Sequence, residues 1–102
     1  MAGFEFDMAF TTAEVVTGTA RLLDQLGYRW QRRDHVSGSV FAFTLADGNA
    51  LELCVEPLPA ERQTYPTWFP RTLLSAHSAG TEGAELATLR RALVLAFLRV
   101  MG

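Results

Sequence analysis

One cysteine, two histidines and a short serine-rich run are the residues here with the chemistry of a nucleophilic or metal site. A cysteine nucleophile would need Cys54, a base such as His77 and an orienting carboxylate from Glu52 or Glu56. Cys54 alternates with the apolar Leu53 and Val55, so it is expected on the outward face of a strand. No basic neighbour in sequence lowers its thiol pKa, and neither histidine shares a local pattern with it. A surface or half-buried structural cysteine accounts for it. Ser75-Ala76-His77-Ser78 offers hydroxyl and imidazole but neither a strained nucleophile elbow nor a third triad member.

Metal binding fares no better. His35, His77 and Cys54 are scattered, without the short repeated spacing that aims two ligands at one ion. Asp47-Gly48-Asn49 lacks the surrounding acidic ladder of a calcium loop, and turn chemistry explains it. All nine basic residues are arginine, so Schiff-base and P-loop lysine chemistry is absent. No catalytic residue, metal or cofactor is expected.

Three surfaces remain as candidates for binding. Arg29, Arg32 and Arg33 around Trp30 combine charge for phosphates with a ring for base stacking, the ingredients of a nucleic-acid face. Glu52 and Glu56 on a nearby outer face would instead pair with those arginines. Pro66 and Pro70 restrict the segment carrying Trp68 and Phe69, so these rings could wall a ligand pocket with Phe41 and Phe43. They could equally cap the open end of the core. The C-terminal stretch has a core stripe of Leu86, Leu89, Leu93, Ala96, Phe97 and Val100. Val94, Leu95 and Leu98 project elsewhere. A helix apolar on more than one side is usually covered on more than one side, here by the aromatic segment, a partner or a ligand.

The elements that must position these residues follow from periodicity and punctuation. Phe4, Phe6, Met8 and Phe10 alternate with Glu5, Asp7 and Ala9, a half-buried strand. Thr11 and Glu14 have capping-box spacing, with Phe10 and Val15 placed for a hydrophobic staple. Val15, Val16, Thr19, Leu22, Leu23 and Leu26 fall on one helical face. Gly27 and Tyr28 fit a Schellman stop. A second strand is expected from Tyr28 to Arg33. A third turns Phe41, Phe43 and Leu45 inward, and a fourth Leu51, Leu53 and Val55. A three-residue Ala46-Asp47-Gly48 turn, with Gly48 left-handed, keeps Phe43 opposite Leu51 and Phe41 opposite Leu53. A fifth strand is expected near Arg71–His77, and a last helix from about Glu82 to Met101, its first turn carrying Glu82 and Glu85.

The expected order is β-α-β-β-β-β-α, a curved antiparallel α+β meander with both helices on one face, in a single domain of residues 1–102. This order resembles the TATA-binding-protein-like and helix-grip folds in topology. No functional residue carries over from either, because no diagnostic motif accompanies the order. A net charge of −2 lacks the positive surplus of a general nucleic-acid binder. A lone cysteine, the missing signal-peptide pattern and the short Ala92–Leu98 apolar run point to a cytoplasmic protein without a membrane span. The all-arginine usage suggests a GC-rich bacterial source.

The leading functional expectation is a non-enzymatic interaction module, a homodimer or partner of another protein through Val94, Leu95 and Leu98. The second is a small-molecule binder, or minimal enzyme, around Phe41, Phe43, Trp68 and Phe69. The third is nucleic-acid binding through Arg29, Trp30 and Arg33.

Overall fold

Alternation, caps and turns place seven elements along the chain in the expected order. They are β1 (Ala2–Met8), α1 (Thr12–Gln25), β2 (Gln31–Asp34), β3 (Ser39–Thr44), β4 (Ala50–Pro57), β5 (Thr72–Ser78) and α2 (Ala84–Met101). The computed structural model describes residues 2–59, 71–80 and 83–101, and the side chains of all of these except 2 and 98–101. The proline-aromatic segment, Trp68 and Phe69 included, lies outside the described residues.

Helix α1 starts and stops where its sequence dictates. The Thr11 hydroxyl accepts the Glu14 N–H at 3.2 Å, and the Glu14 carboxylate accepts the Thr11 N–H at 3.0 Å, completing the capping box. The Thr11 N–H first, and then the Thr11 hydroxyl, donate to the Glu14 carboxylate and hold that carboxyl below its ordinary value. At the other end Gly27 has φ +82°. The Tyr28 N–H reaches the Leu23 carbonyl, and the Gly27 N–H the Asp24 carbonyl, in the Schellman pattern. Two expectations shift as a result. Leu26 becomes the cap residue and is exposed rather than part of the core face. Strand β2 begins at Gln31 instead of Tyr28, because the Tyr28 N–H is spent on closing the helix.

The five strands form one antiparallel sheet in the order β1-β5-β4-β3-β2. Strands β2 to β5 are a meander, and β1 lies along the free side of β5. The β3–β4 hairpin has the expected register, Phe43 opposite Leu51 and Phe41 opposite Leu53. Its turn is the three-residue one, with Gly48 at φ +90°. The Asp47 carboxylate accepts the Asn49 N–H, which locks the turn.

One face of the sheet carries Met8, Phe41, Phe43, Leu51, Leu53, Val55, Leu74 and Ala76 into a single core cluster. Val15, Val16, Leu22 and Leu23 of α1 meet them there, with Leu86, Leu89, Leu93 and Phe97 of α2. Both helices therefore cover the same face. They approach closely at Gly18, where an added Cβ would fall 2.9 Å from the Phe97 ring. The Glu85 carboxylate ties the start of α2 to the sheet, accepting the Tyr28 hydroxyl at 2.6 Å and the Ala46 N–H at 2.8 Å.

One core position is imperfect. Thr19 is 0% exposed, and its hydroxyl has no hydrogen-bond partner among the described residues. A buried unpaired hydroxyl costs about 1–3 kcal/mol, whereas a methyl of the same shape costs nothing in desolvation. Thr19→Val is expected to raise stability by about 1 kcal/mol, read as a higher urea midpoint.

Candidate functional surface

The sheet face away from the helices gathers the residues with nucleophilic chemistry. Strand register sets Cys54 opposite Ser75 and Glu52 opposite His77. Cys54, Ser75 and His77 line one groove of about 250 Å³ with His35, Ser39 and Glu56. Cys54 is on the outer face, as its alternation predicts. Its environment works against nucleophilic chemistry. Burial raises the thiol pKa first, the Glu52 and Glu56 charges raise it further, and a Ser75 hydrogen bond only partly opposes them. The thiol stays protonated at neutral pH. The described residues hold no group of three or more histidine, cysteine and acidic side chains able to bind a metal. Sequence spacing could not reveal this groove, because its members meet only through strand pairing.

Strand β2 divides the arginine-tryptophan group. Trp30 packs edge-on against Phe41 on the helix side, ring centroids 5.2 Å apart, and its indole N–H bonds Asp24 at 2.9 Å. Arg33 pairs with Val40 on the opposite face, where its guanidinium meets Glu52 at 2.6 Å. Arg29 is exposed. Trp30 and Arg33 therefore do not form one platform for a base and its phosphate. The period-two pattern already put them on alternate faces, and cross-strand pairing with Glu52 uses Arg33 as the charge pattern suggested.

Phe41 and Phe43 lie in the core, 0% and 6% exposed, beneath Trp30 and Tyr28. None of the described grooves is lined by either ring. The other two residues of the expected pocket wall, Trp68 and Phe69, lie outside the described residues.

The outer side of α2 presents a different surface. Leu86, Leu89, Leu93 and Phe97 are buried, while Leu95 is 47% exposed. Val94 is half-buried and shares a groove of about 330 Å³ with Phe6, Met8, Phe10 and Phe97. A second groove of about 350 Å³ lies beside the same Phe10–Phe97 pair, floored by Ala13, Thr17 and Gly18 of α1. The two rings stand with centroids 5.6 Å apart. The Arg90 guanidinium sits 5.7 Å over the Phe6 ring, a polar rim to this patch. The side chain of Leu98, expected to join Val94 and Leu95, lies outside the described ones.

The chain matches no protein-family model, and no curated protein is similar to it in sequence. No helix among the described residues is long and apolar enough to cross a membrane. The candidate surface therefore stands on its own geometry.

Proposed function

We propose that this domain is a non-enzymatic interaction module that self-associates through the exposed side of α2. The observation that carries this is Leu95, a large apolar side chain 47% exposed on a helix whose opposite side is fully buried. It stands next to Val94, which opens onto the apolar groove of Phe6, Met8 and Phe10. An exposed large apolar side chain and an apolar groove with a charged rim on the same helix are features of an association site. Burial and the charges of Glu52 and Glu56 raise the Cys54 thiol pKa, which disfavours its use as a nucleophile. The strand order fits a minimal helix-grip-type arrangement, in which the last helix lies over the sheet. The single cysteine supports a reducing, cytoplasmic setting.

Sedimentation equilibrium at tens of micromolar tests this proposal. The wild type is expected as a dimer, and Leu95→Glu is expected to raise the dissociation constant at least tenfold without lowering the melting temperature of the monomer. A wild type that stays monomeric at that concentration removes the proposal. So does Leu95→Glu with unchanged mass.

A further inference from the structure

Of the four aspartates in the chain, Asp47 alone precedes glycine. An aspartyl-glycyl bond can close into a ring, because glycine leaves the following amide nitrogen unshielded by a side chain. The turn presents that bond to water. Asp47 and Gly48 are both exposed, Gly48 has φ +90°, and a Cβ added there would meet nothing within 4 Å. The Asp47 carboxylate accepts the Asn49 N–H at 2.9 Å, which folds the carboxyl back towards the Gly48 peptide. The other three aspartates precede Met8, Gln25 and His35. Their carboxylates are engaged by donor side chains: Asp7 by Arg71, Asp24 by Trp30, and Asp34 by Arg32 and Ser39.

We propose that Asp47 is a site of spontaneous modification, isomerising to isoaspartate through a cyclic imide. The Gly48 nitrogen attacks Cγ of Asp47 in its acid form. A C–N bond forms there, and the carboxyl OH leaves with the Gly48 amide proton as water. Water then adds to one of the two ring carbonyls. Opening at Cγ restores aspartate. Opening at the main-chain carbonyl breaks its bond to the Gly48 nitrogen, so the chain now runs through Cβ and Cγ with one more main-chain atom. Mass and charge are unchanged, and no oxidant or cofactor is consumed.

The turn has no slack for that atom. The Leu45 N–H reaches the Asn49 carbonyl at 2.9 Å and the Gly48 N–H the Leu45 carbonyl at 3.0 Å. This loop length keeps Phe43 opposite Leu51. The Ala46 N–H, one residue before the modified bond, is held by the Glu85 carboxylate of α2 at 2.8 Å. Isomerisation therefore disturbs the hairpin end and its tie to the last helix together, at a rate set by the age of the chain.

Incubating the full chain for weeks at about 37 °C and neutral pH, with enzymatic methylation and peptide mapping to locate isoaspartate, tests the site. Isoaspartate is expected at residue 47 in at least tenfold excess over residues 24 and 34. Asp47→Ser keeps a side-chain acceptor for the Asn49 N–H but has no carboxyl to cyclise, and is expected to form none there. Hydrogen exchange of the isomerised fraction, separated by chromatography, is expected to be at least tenfold faster at the Leu45 and Ala46 amides. Isoaspartate at residue 47 no higher than at residues 24 and 34 overturns the proposal. Unchanged exchange at Leu45 and Ala46 in the isomerised chain overturns the link to the hairpin and α2.

Discussion

Phe41→Ala is expected to cost about 3–5 kcal/mol of folding free energy, the usual loss for a large aromatic ring removed from a closed core. Phe41 is completely buried, lies opposite Leu53 in the hairpin and is covered edge-on by Trp30. Removing the ring therefore empties a space bounded by the sheet and the indole at once. A domain of this size has about 5–15 kcal/mol in total, so the variant would stand near the edge of folding. Urea denaturation should show a large fall in midpoint with an unchanged slope. A loss under about 1 kcal/mol would mean that the ring is loosely held, and would turn attention back to a ligand space around Phe41 and Phe43.

The second large effect lies at alkaline pH. The Tyr28 phenol donates to Glu85 at 2.6 Å, and its pKa is pushed up to about 12, by burial first and then by the bond to Glu85 and its charge. The folded state thus holds the phenolic proton more tightly than the unfolded chain, whose tyrosines titrate near about 10. The resulting stabilisation is complete below pH about 10 and is lost as pH rises through about 12. Glu85→Gln removes the carboxylate charge at the junction of α2, Tyr28 and the Ala46 N–H. It is expected to bring the phenol back towards its ordinary range, to flatten that alkaline loss and to cost about 1–2 kcal/mol at neutral pH. Phenolate absorbance followed in a Tyr65→Phe background, which leaves Tyr28 as the sole tyrosine, reads the titration directly. An unchanged Tyr28 titration in Glu85→Gln would show that burial alone sets it.

Most of the fold is written in short-range pattern. The Thr11–Glu14 box, the Gly27 stop and the Gly48 turn each involve groups within five residues of one another, so side-chain chemistry specifies them locally. The register of Phe41 and Phe43 follows from which faces must be apolar. The same locality hides other features. Glu85 looks like a helix-dipole charge in sequence, yet it bonds residues 39 and 57 positions away. Cys54, Ser75 and His77 share a groove only because β4 pairs with β5 in one particular register. The candidate surface was half legible. The excess apolar residues of the last helix marked Val94 and Leu95, but nothing in the spacing of Phe6 and Met8 indicates that they adjoin Val94. That adjacency comes from the sheet order, which places β1 at the edge beyond β5.

The same order has a consequence for synthesis of the chain. Strand β1 is translated first, yet its partner, β5, ends at Ser78. At elongation rates of roughly 5–20 residues per second, the first strand waits on the order of 4–15 s for residues 72–78 to be made. During that time Phe4, Phe6 and their backbone groups are without the ladder that later holds them, while α1 and the hairpins can already form from local contacts. Stalling the ribosome before β5 emerges should therefore leave a nascent chain with a native-like α1 and β3–β4 hairpin but a protease-sensitive N terminus. The strand made earliest is the last to be secured.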